Sequence, residues 1–371
     1  MIKRHSLLFL LGAALFTLTL AACARDFAPL ADVPPAAADP AALPPISLPA
    51  DHAPHDNLSE WWYFTGHLSD DSVHEYGFEF VIFQADRGGE IAYAAHFALT
   101  DPAAGDFAYD QRTSFAHGSR QAVGLDLCVG GWTLAEADGS FAFTADLPDR
   151  RLTLRLSPIK PPAIHNRDGL LDFAPYGWSY YYSYTRLDVS GELSGDGGPA
   201  EIHGQAWMDH QWGDFISVGA GGWDWFSLQL DDGRDFTASI IRGDDGEVVL
   251  KYATLVAPNG VARHLEAGEF TITAGDEWAS PTTGAIYPSR WRLVIPDAAI
   301  DLELRPVLAA QELDARASTG NIYWEGVVLA VGESGALGRG YVELTGYAPG
   351  ATALSLDILT GPRTDLCAPA P

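Results

Sequence analysis

The chain has 371 residues, a net charge of −27, 47% hydrophobic residues and 11% aromatic ones. So acidic a surface repels phosphate backbones and excludes nucleic acid as a partner. The apolar and aromatic content excludes a disordered chain despite the charge.

The N-terminus carries an export pattern. Lys3 and Arg4 precede an apolar run from Leu7 to Leu20, and Ala21-Ala22-Cys23 closes it. The run, about 14 residues, is shorter than the roughly 20 that span a bilayer. It resembles a bacterial lipoprotein signal peptide over residues 1–22, with Cys23 as the lipidation site. The mature chain then keeps 20 basic residues (22 less Lys3 and Arg4) against 49 acidic ones, a charge of −29. Attachment to a membrane would rest on the acyl chains of Cys23 rather than on charge. Ala24 follows the cysteine, with no acidic residue there. In a two-membrane bacterium this predicts the periplasmic face of the outer membrane.

Residues 23–50 read as an anchored Ala/Pro linker. Seven prolines and nine alanines among the 27 residues after Cys23 make it extended and semi-rigid. With Cys23 acylated, Cys128 and Cys367 remain. They form either a disulfide tying the C-terminus to the first domain or two separate thiols.

From Asp51 onward the apolar pattern has period two. Tyr76, Phe78, Phe80 and Ile82 share one strand face; Leu152, Leu154 and Leu156 alternate with Arg151, Thr153 and Arg155. Asp138-Gly139, Asp232-Gly233 and Asn259-Gly260 mark turns. The best short helical candidate is Leu308 to Leu313. An all-β protein of many short strands is expected.

Two segments echo each other. Glu60-Trp61-Trp62-Tyr63-Phe64-Thr65-Gly66-His67-Leu68 corresponds to Gly222-Trp223-Asp224-Trp225-Phe226-Ser227-Leu228-Gln229-Leu230, and Tyr182–Trp207 corresponds to Tyr323–Glu343. Internal repetition of this kind predicts two tandem β-barrels, over residues 51–230 and 231–367.

Several ordered blocks resemble one family. They are Asp51-His52-Ala53-Pro54-His55, Glu60-Trp61-Trp62-Tyr63-Phe64-Thr65-Gly66, Ala95-His96-Phe97-Ala98, Trp207-Met208-Asp209-His210-Gln211-Trp212-Gly213, Trp223-Asp224-Trp225-Phe226 and Tyr323-Trp324-Glu325-Gly326. The chain resembles the AttH and hydroxyneurosporene-synthase (CrtC-like, carotenoid 1,2-hydratase) family. The resemblance implies two lipocalin-like domains and, in the hydratase branch, addition of water across a C=C bond of an apolar isoprenoid or polyene.

Such chemistry needs a carboxyl held protonated near neutral pH by burial. It also needs aromatic faces for the developing cation. The resemblance implies Asp209 as the acid. By alternation Asp209 shares a strand face with Trp207 and Gln211, while Tyr180, Tyr182 and Tyr184, preceded by Trp178, form a phenol ladder expected to line the same cavity. Tyr182 and Tyr180 are therefore read as catalytic partners. Trp178, Tyr184, Trp207, Glu60, Trp62 and His96 are read as ligand-binding. Glu60 also reads as a polar strand entry, and His96 as a core histidine. Arg186 and Asp224 are read as an ion pair.

His52 and His55 with Asp51 and Asp56 have metal-like spacing, but no second ligand cluster follows, and no metal is expected. No Gly-x-Ser-x-Gly elbow, Walker loop or dinucleotide fingerprint occurs, so no cofactor is expected. The alternative to an enzyme is a periplasmic carrier that holds a hydrophobic small molecule and serves a membrane transporter. A third reading makes the aromatic blocks the joint between two barrels.

Overall fold

The computed structural model describes residues 43–86, 91–115, 124–173, 177–195, 197–215, 221–243, 245–333, 335–349 and Cys367. The signal at 1–22, Cys23 and the linker up to residue 42 lie outside the described residues. No helix among the described residues is long and apolar enough to cross a membrane.

The first sheet holds β1 (Ser59–Asp70), β2 (Glu75–Asp86), β3 (Ile91–Asp101), β4 (Asp106–Phe115), β5 (Asp126–Val129), β6 (Trp132–Ala137), β7 (Ser140–Asp146), β8 (Arg150–Pro158), β9 (Ala163–Ile164), β10 (Leu170–Asp172), β11 (Gly177–Gly195) and β12 (Gly198–Phe215). Its order is β4-β3-β2-β1-β12-β11-β8-β7-β6-β5, with β9 and β10 on β11. At the far edge β5 returns against β3 and β4, nearly closing a barrel. Arg112 on β4 staples this seam: it reaches Asp146 of β7 at 3.6 Å, and its guanidinium lies 5.0 Å over the Trp132 ring.

The second sheet holds β13 (Trp223–Leu230), β14 (Asp235–Arg242), β15 (Val248–Val256), β16 (Ala262–Leu265), β17 (Thr271–Ala274), then, after a separate hairpin of β18 (Glu277–Ala279) and β19 (Ile286–Pro288), β20 (Trp291–Ile295), β21 (Ile300–Pro306), β22 (Glu312–Ala315), β23 (Asn321–Gly332) and β24 (Gly335–Thr345). Its order is β16-β15-β14-β13-β24-β23-β21-β20-β17, with β22 on β23. This repeats the order of the first sheet from β4 to β6, β13 and β14 standing where β1 and β2 stand, β23 and β24 where β11 and β12 stand; β5 has no counterpart. The echoed segments are thus the matching hairpins. No strand pairing joins β16 to β17 among the described residues; the architecture is one nearly closed barrel and a second, similarly ordered sheet.

Two expectations are corrected. The second sheet begins at Trp223 rather than Asp231, because the aromatic-led hairpin β13–β14 is its opening hairpin. The stretch expected to be helical around Leu308–Leu313 runs instead into β22, where Leu313 and Ala315 are buried.

The three turn pairs sit where expected, joining β6–β7, β13–β14 and β15–β16. Their glycines Gly139, Gly233 and Gly260 have φ of 73°, 86° and 86°, values that favour glycine. β8 alternates cleanly, Leu152, Leu154 and Leu156 inward and Arg151, Thr153 and Arg155 outward. In contrast β1 is buried on both faces for most of its length. Its inner face (Trp62, Phe64) joins a core of Phe78, Phe80, Phe97, Trp132, Phe141 and Phe143 that fills the barrel. Phe80 stacks on Phe143 at 4.4 Å.

The outer face of β1 packs on the second sheet. Tyr63, Val81 and Trp207 from the barrel meet Trp225, Val327 and Tyr341. The approach is close: a Cβ on Gly77 would lie 2.1 Å from Val327 Cγ2. A bulge in β11 between Tyr184 and Leu187 turns both Thr185 and Arg186 outward. They reach buried Asp235 of β14 at 2.8 and 2.6 Å, and Lys160 reaches it at 2.6 Å. Arg186 therefore pairs with Asp235 rather than Asp224, and Asp224 pairs with Arg242 at 2.6 Å. Cys128 and Cys367 are disulfide-bonded. Residues Leu43, Ile46 and Leu48, the described end of the linker, pack on the barrel core rather than extending free.

Candidate active site

Asp209 stands on the outer face of β12, between Tyr63 of β1 and Ser183 of β11 in register. It is buried and fully engaged. Oδ1 accepts hydrogen bonds from Ser183 Oγ and from Trp207 Nε1 (2.6 Å). Oδ2 accepts one from Tyr181 Oη at 2.6 Å. Tyr181 in turn accepts from Trp225 Nε1 of the second sheet at 3.1 Å. His165 links Ser183 (2.7 Å) to Thr254 (2.9 Å), again across the two sheets. Burial raises the Asp209 pKa to about 6, against the opposing pull of its three donors.

The second sheet presents acids of its own. Glu343 pairs in register with both Trp225 and Glu325. In the repeat, Glu343 matches Asp209, Glu325 matches Ser183, Trp225 matches Tyr63, and Trp223 matches Trp61. The joint thus carries the same positions twice with different side chains. Burial raises the Glu343 pKa to about 8; a hydrogen bond from Trp223 pulls it down and the charge of Asp209 pushes it up. Burial, and then the neighbouring acids, push up Glu79 and Glu325 as well. Tyr63 donates to Glu325 at 2.8 Å and Tyr323 to Glu79 at 3.3 Å. The second oxygens of Glu79 and Glu325 have no partner among the described residues. A cluster of this composition stores protons at neutral pH.

Two small cavities adjoin here, of about 50 and 30 Å³. Both are lined by Trp61, Tyr63, Trp223 and Glu343; the larger also by Asp209, Tyr181 and Trp225. Trp61 and Trp223 are only half-buried, whereas Tyr63, Tyr181 and Trp225 are buried. The space accommodates one or two waters beside the acid. A larger cavity of about 230 Å³ lies elsewhere on the sheet–sheet joint, lined by His67, Gly77, Val307, Val327, Leu329 and Arg339 among others.

The predicted phenol ladder lies on the other side of the sheet. Tyr182 pairs with His210 and Tyr184 with Met208, so Tyr180, Tyr182 and Tyr184 face the barrel interior and are absent from the Asp209 cavity. Tyr180 donates to Pro44 O, Trp178 packs edge-on to Tyr180, and Tyr184 Oη lies 3.2 Å from His52 Nε2. Glu60 and Trp62 share that interior face with His210 and Trp212. His96 lies at the joint, 2.7 Å from Tyr323 Oη and 2.9 Å from Ser318 Oγ. Burial depresses its pKa to about 3, keeping it neutral. Trp207 does touch Asp209. Alternation alone misses Tyr181 and Ser183, since tyrosines occupy both faces of β11. Sequence reasoning also misses Glu343, since the echo sets it against Trp207 and only the strand register makes it the counterpart of Asp209.

A strand order made twice over, with an acid-and-aromatic cavity at the joint, describes an all-β protein of one nearly closed barrel and a second sheet. The AttH-like family profile matches residues 39–347, and the chain belongs to that family. A crystal structure of a Nitrosomonas europaea protein assigned as AttH is similar at 33% identity and a TM-score of 0.75, covering 82% of this chain and 98% of that one. Kievitone hydratase from Nectria haematococca shares the fold at 16% identity and a TM-score of 0.65, covering 84% of this chain and 97% of that one. No curated protein matches the sequence.

Proposed function

We propose that the protein is an enzyme that protonates a C=C bond of an apolar isoprenoid or polyene and adds water to it, or catalyses a related lyase or cyclisation step. The observation carrying this reading is Asp209: a carboxyl buried among Trp207, Tyr181 and Trp225, with its pKa raised to about 6. At pH 7 roughly a tenth of it is protonated, enough to serve as a general acid. The rings of Trp225, Tyr63 and Trp61 supply electron-rich faces for a developing cation. Asp209, a carboxylate once it has given its proton to the alkene, takes up the proton of the attacking water and is restored, while protonated Glu343 on the same cavity can hydrogen-bond that water. Trp61 and Trp223, the half-buried residues of the lining, mark the side of the cavity nearest solvent. The likeness to kievitone hydratase concerns the fold; the reaction assigned here stands on the cavity chemistry.

The second reading is a carrier. The observation favouring it is volume: the roomier cavity is the one near His67, and the space beside Asp209 is water-sized. Asp209→Asn separates the two. An enzyme loses turnover of an acyclic carotene and keeps its affinity; a carrier turns nothing over in either form.

The same proposal includes export as a lipoprotein, with Cys23 acylated and the body held at the outer membrane. Palmitate labelling of the wild type, absent from Cys23→Ser, is the expected result; label in neither protein overturns it.

A further inference from the structure

On the inner side of β12, back to back with Asp209, a second cluster gathers from three places. Glu60 Oε1 of β1 lies 2.7 Å from His210 Nε2 of β12 and 2.7 Å from His55 Nδ1, in the segment before β1. The three candidate ligand atoms all lie within 4.8 Å of one another. Glu60 and His210 are fully buried, and the His55 side chain keeps 21% of its exposure, which leaves a path from solvent.

The surroundings hold each side chain by its other atoms. Glu60 Oε2 accepts hydrogen bonds from the His55 backbone N–H at 2.8 Å and from Gln84 Nε2 at 3.3 Å, leaving Oε1 to point at the two imidazoles. His210 Nδ1 lies 3.0 Å from Tyr182 Oη, and Tyr182 can donate its own proton to Asp51 O at 3.3 Å. The phenol oxygen can therefore accept from His210 Nδ1–H, which frees the Nε2 lone pair. His55 Nε2 faces Asp51 Oδ1 at 3.7 Å. Metal-bound histidines are oriented in this way, the far nitrogen donating to a carboxylate or other acceptor.

We propose that His55 Nδ1, Glu60 Oε1 and His210 Nε2 bind one first-row divalent cation. Two imidazoles and one carboxylate, with a fourth position for water, suit zinc best. Metal bonds of about 2.1 Å in tetrahedral geometry set ligand atoms about 3.4 Å apart, so each 2.7 Å contact widens by less than 1 Å as the ring protons leave. The ion would pin the segment before β1 to β1 and β12, stiffening the strand that carries Asp209. Sequence spacing could not reveal the site, because His210 comes to His55 only through the β1–β12 pairing.

The test uses the full chain, stripped with chelator and titrated with Zn²⁺ by calorimetry and with Co²⁺ by visible absorption. One equivalent per chain is expected, with the intense bands of a four-coordinate Co²⁺ centre. His55→Ala, at the most exposed ligand, should weaken Zn²⁺ affinity at least about 100-fold, and Tyr182→Phe about 10- to 100-fold. Circular dichroism of each variant checks folding, and no substitution of the fully buried His210 is required. Substoichiometric binding to the wild type, or unchanged affinity in folded His55→Ala and Glu60→Gln, overturns the proposal. Neither result touches the role of Asp209, which is read from turnover.

Discussion

Replacing Asp209 by Asn should change how stability depends on pH. In the folded chain burial raises this carboxyl from 3.8 to about 6, so the folded state holds the proton more tightly than the unfolded chain does. A raised acid pKa destabilises the fold as pH climbs: the cost is absent well below pH 4, grows up to about pH 6, and is fully present above. The rise is worth about 3 kcal/mol. Asn keeps a carbonyl oxygen for Ser183 and Trp207 and never ionises, so it escapes this cost. Urea unfolding of both proteins at pH 4, 5, 6 and 7 isolates the group, since titrations uncoupled from Asp209 cancel in the difference and Glu343, pushed up by burial and then by the Asp209 charge, stays protonated in the fold to about pH 8. The variant should gain about 2 kcal/mol on the wild type between pH 4 and pH 7, the rest having accrued by pH 4. A difference that stays constant across that window would refute the claim that burial holds the proton on Asp209.

Three further outcomes follow from the same physical reasoning. Asp235→Ala leaves Lys160 and Arg186 facing each other without their shared carboxylate, and should cost about 3–5 kcal/mol in chemical unfolding. Glu343→Gln should match the wild type in stability below about pH 4.5, gain on it as pH rises from there to about 8, and keep a constant lead above; melting temperatures at pH 4, 6 and 9 test the window. Phe143→Ala removes a ring that stacks on Phe80 in the filled barrel and should cost about 3–5 kcal/mol, read by urea midpoint.

Much of the fold is legible in the sequence because strand alternation and glycine turns are local signals. β8 and the three turn pairs are examples. The repeat is legible too, since Trp61 and Trp223 open matching hairpins in the same relative frame. Alternation fails where both faces of a strand are buried. Along β11 the run Tyr180-Tyr181-Tyr182 offers a phenol to either side, and only the pairing of Ser183 with Asp209 decides which one reaches the acid. The partners of Arg186 are hidden for a related reason: a bulge, which no periodicity predicts, turns two consecutive side chains outward toward Asp235. Closure of the second sheet does not follow from the repeat, because repetition in sequence fixes strand order and says little about whether the edge strands meet.

Turnover in deuterium oxide probes the Asp209 assignment most directly. Given an acyclic carotene in detergent, the wild type should add water and place one solvent deuterium on carbon, with a rate that falls as pH rises through about 6. Asp209→Asn should bind the carotene equally well and incorporate none. Undiminished incorporation by the variant would contradict the account.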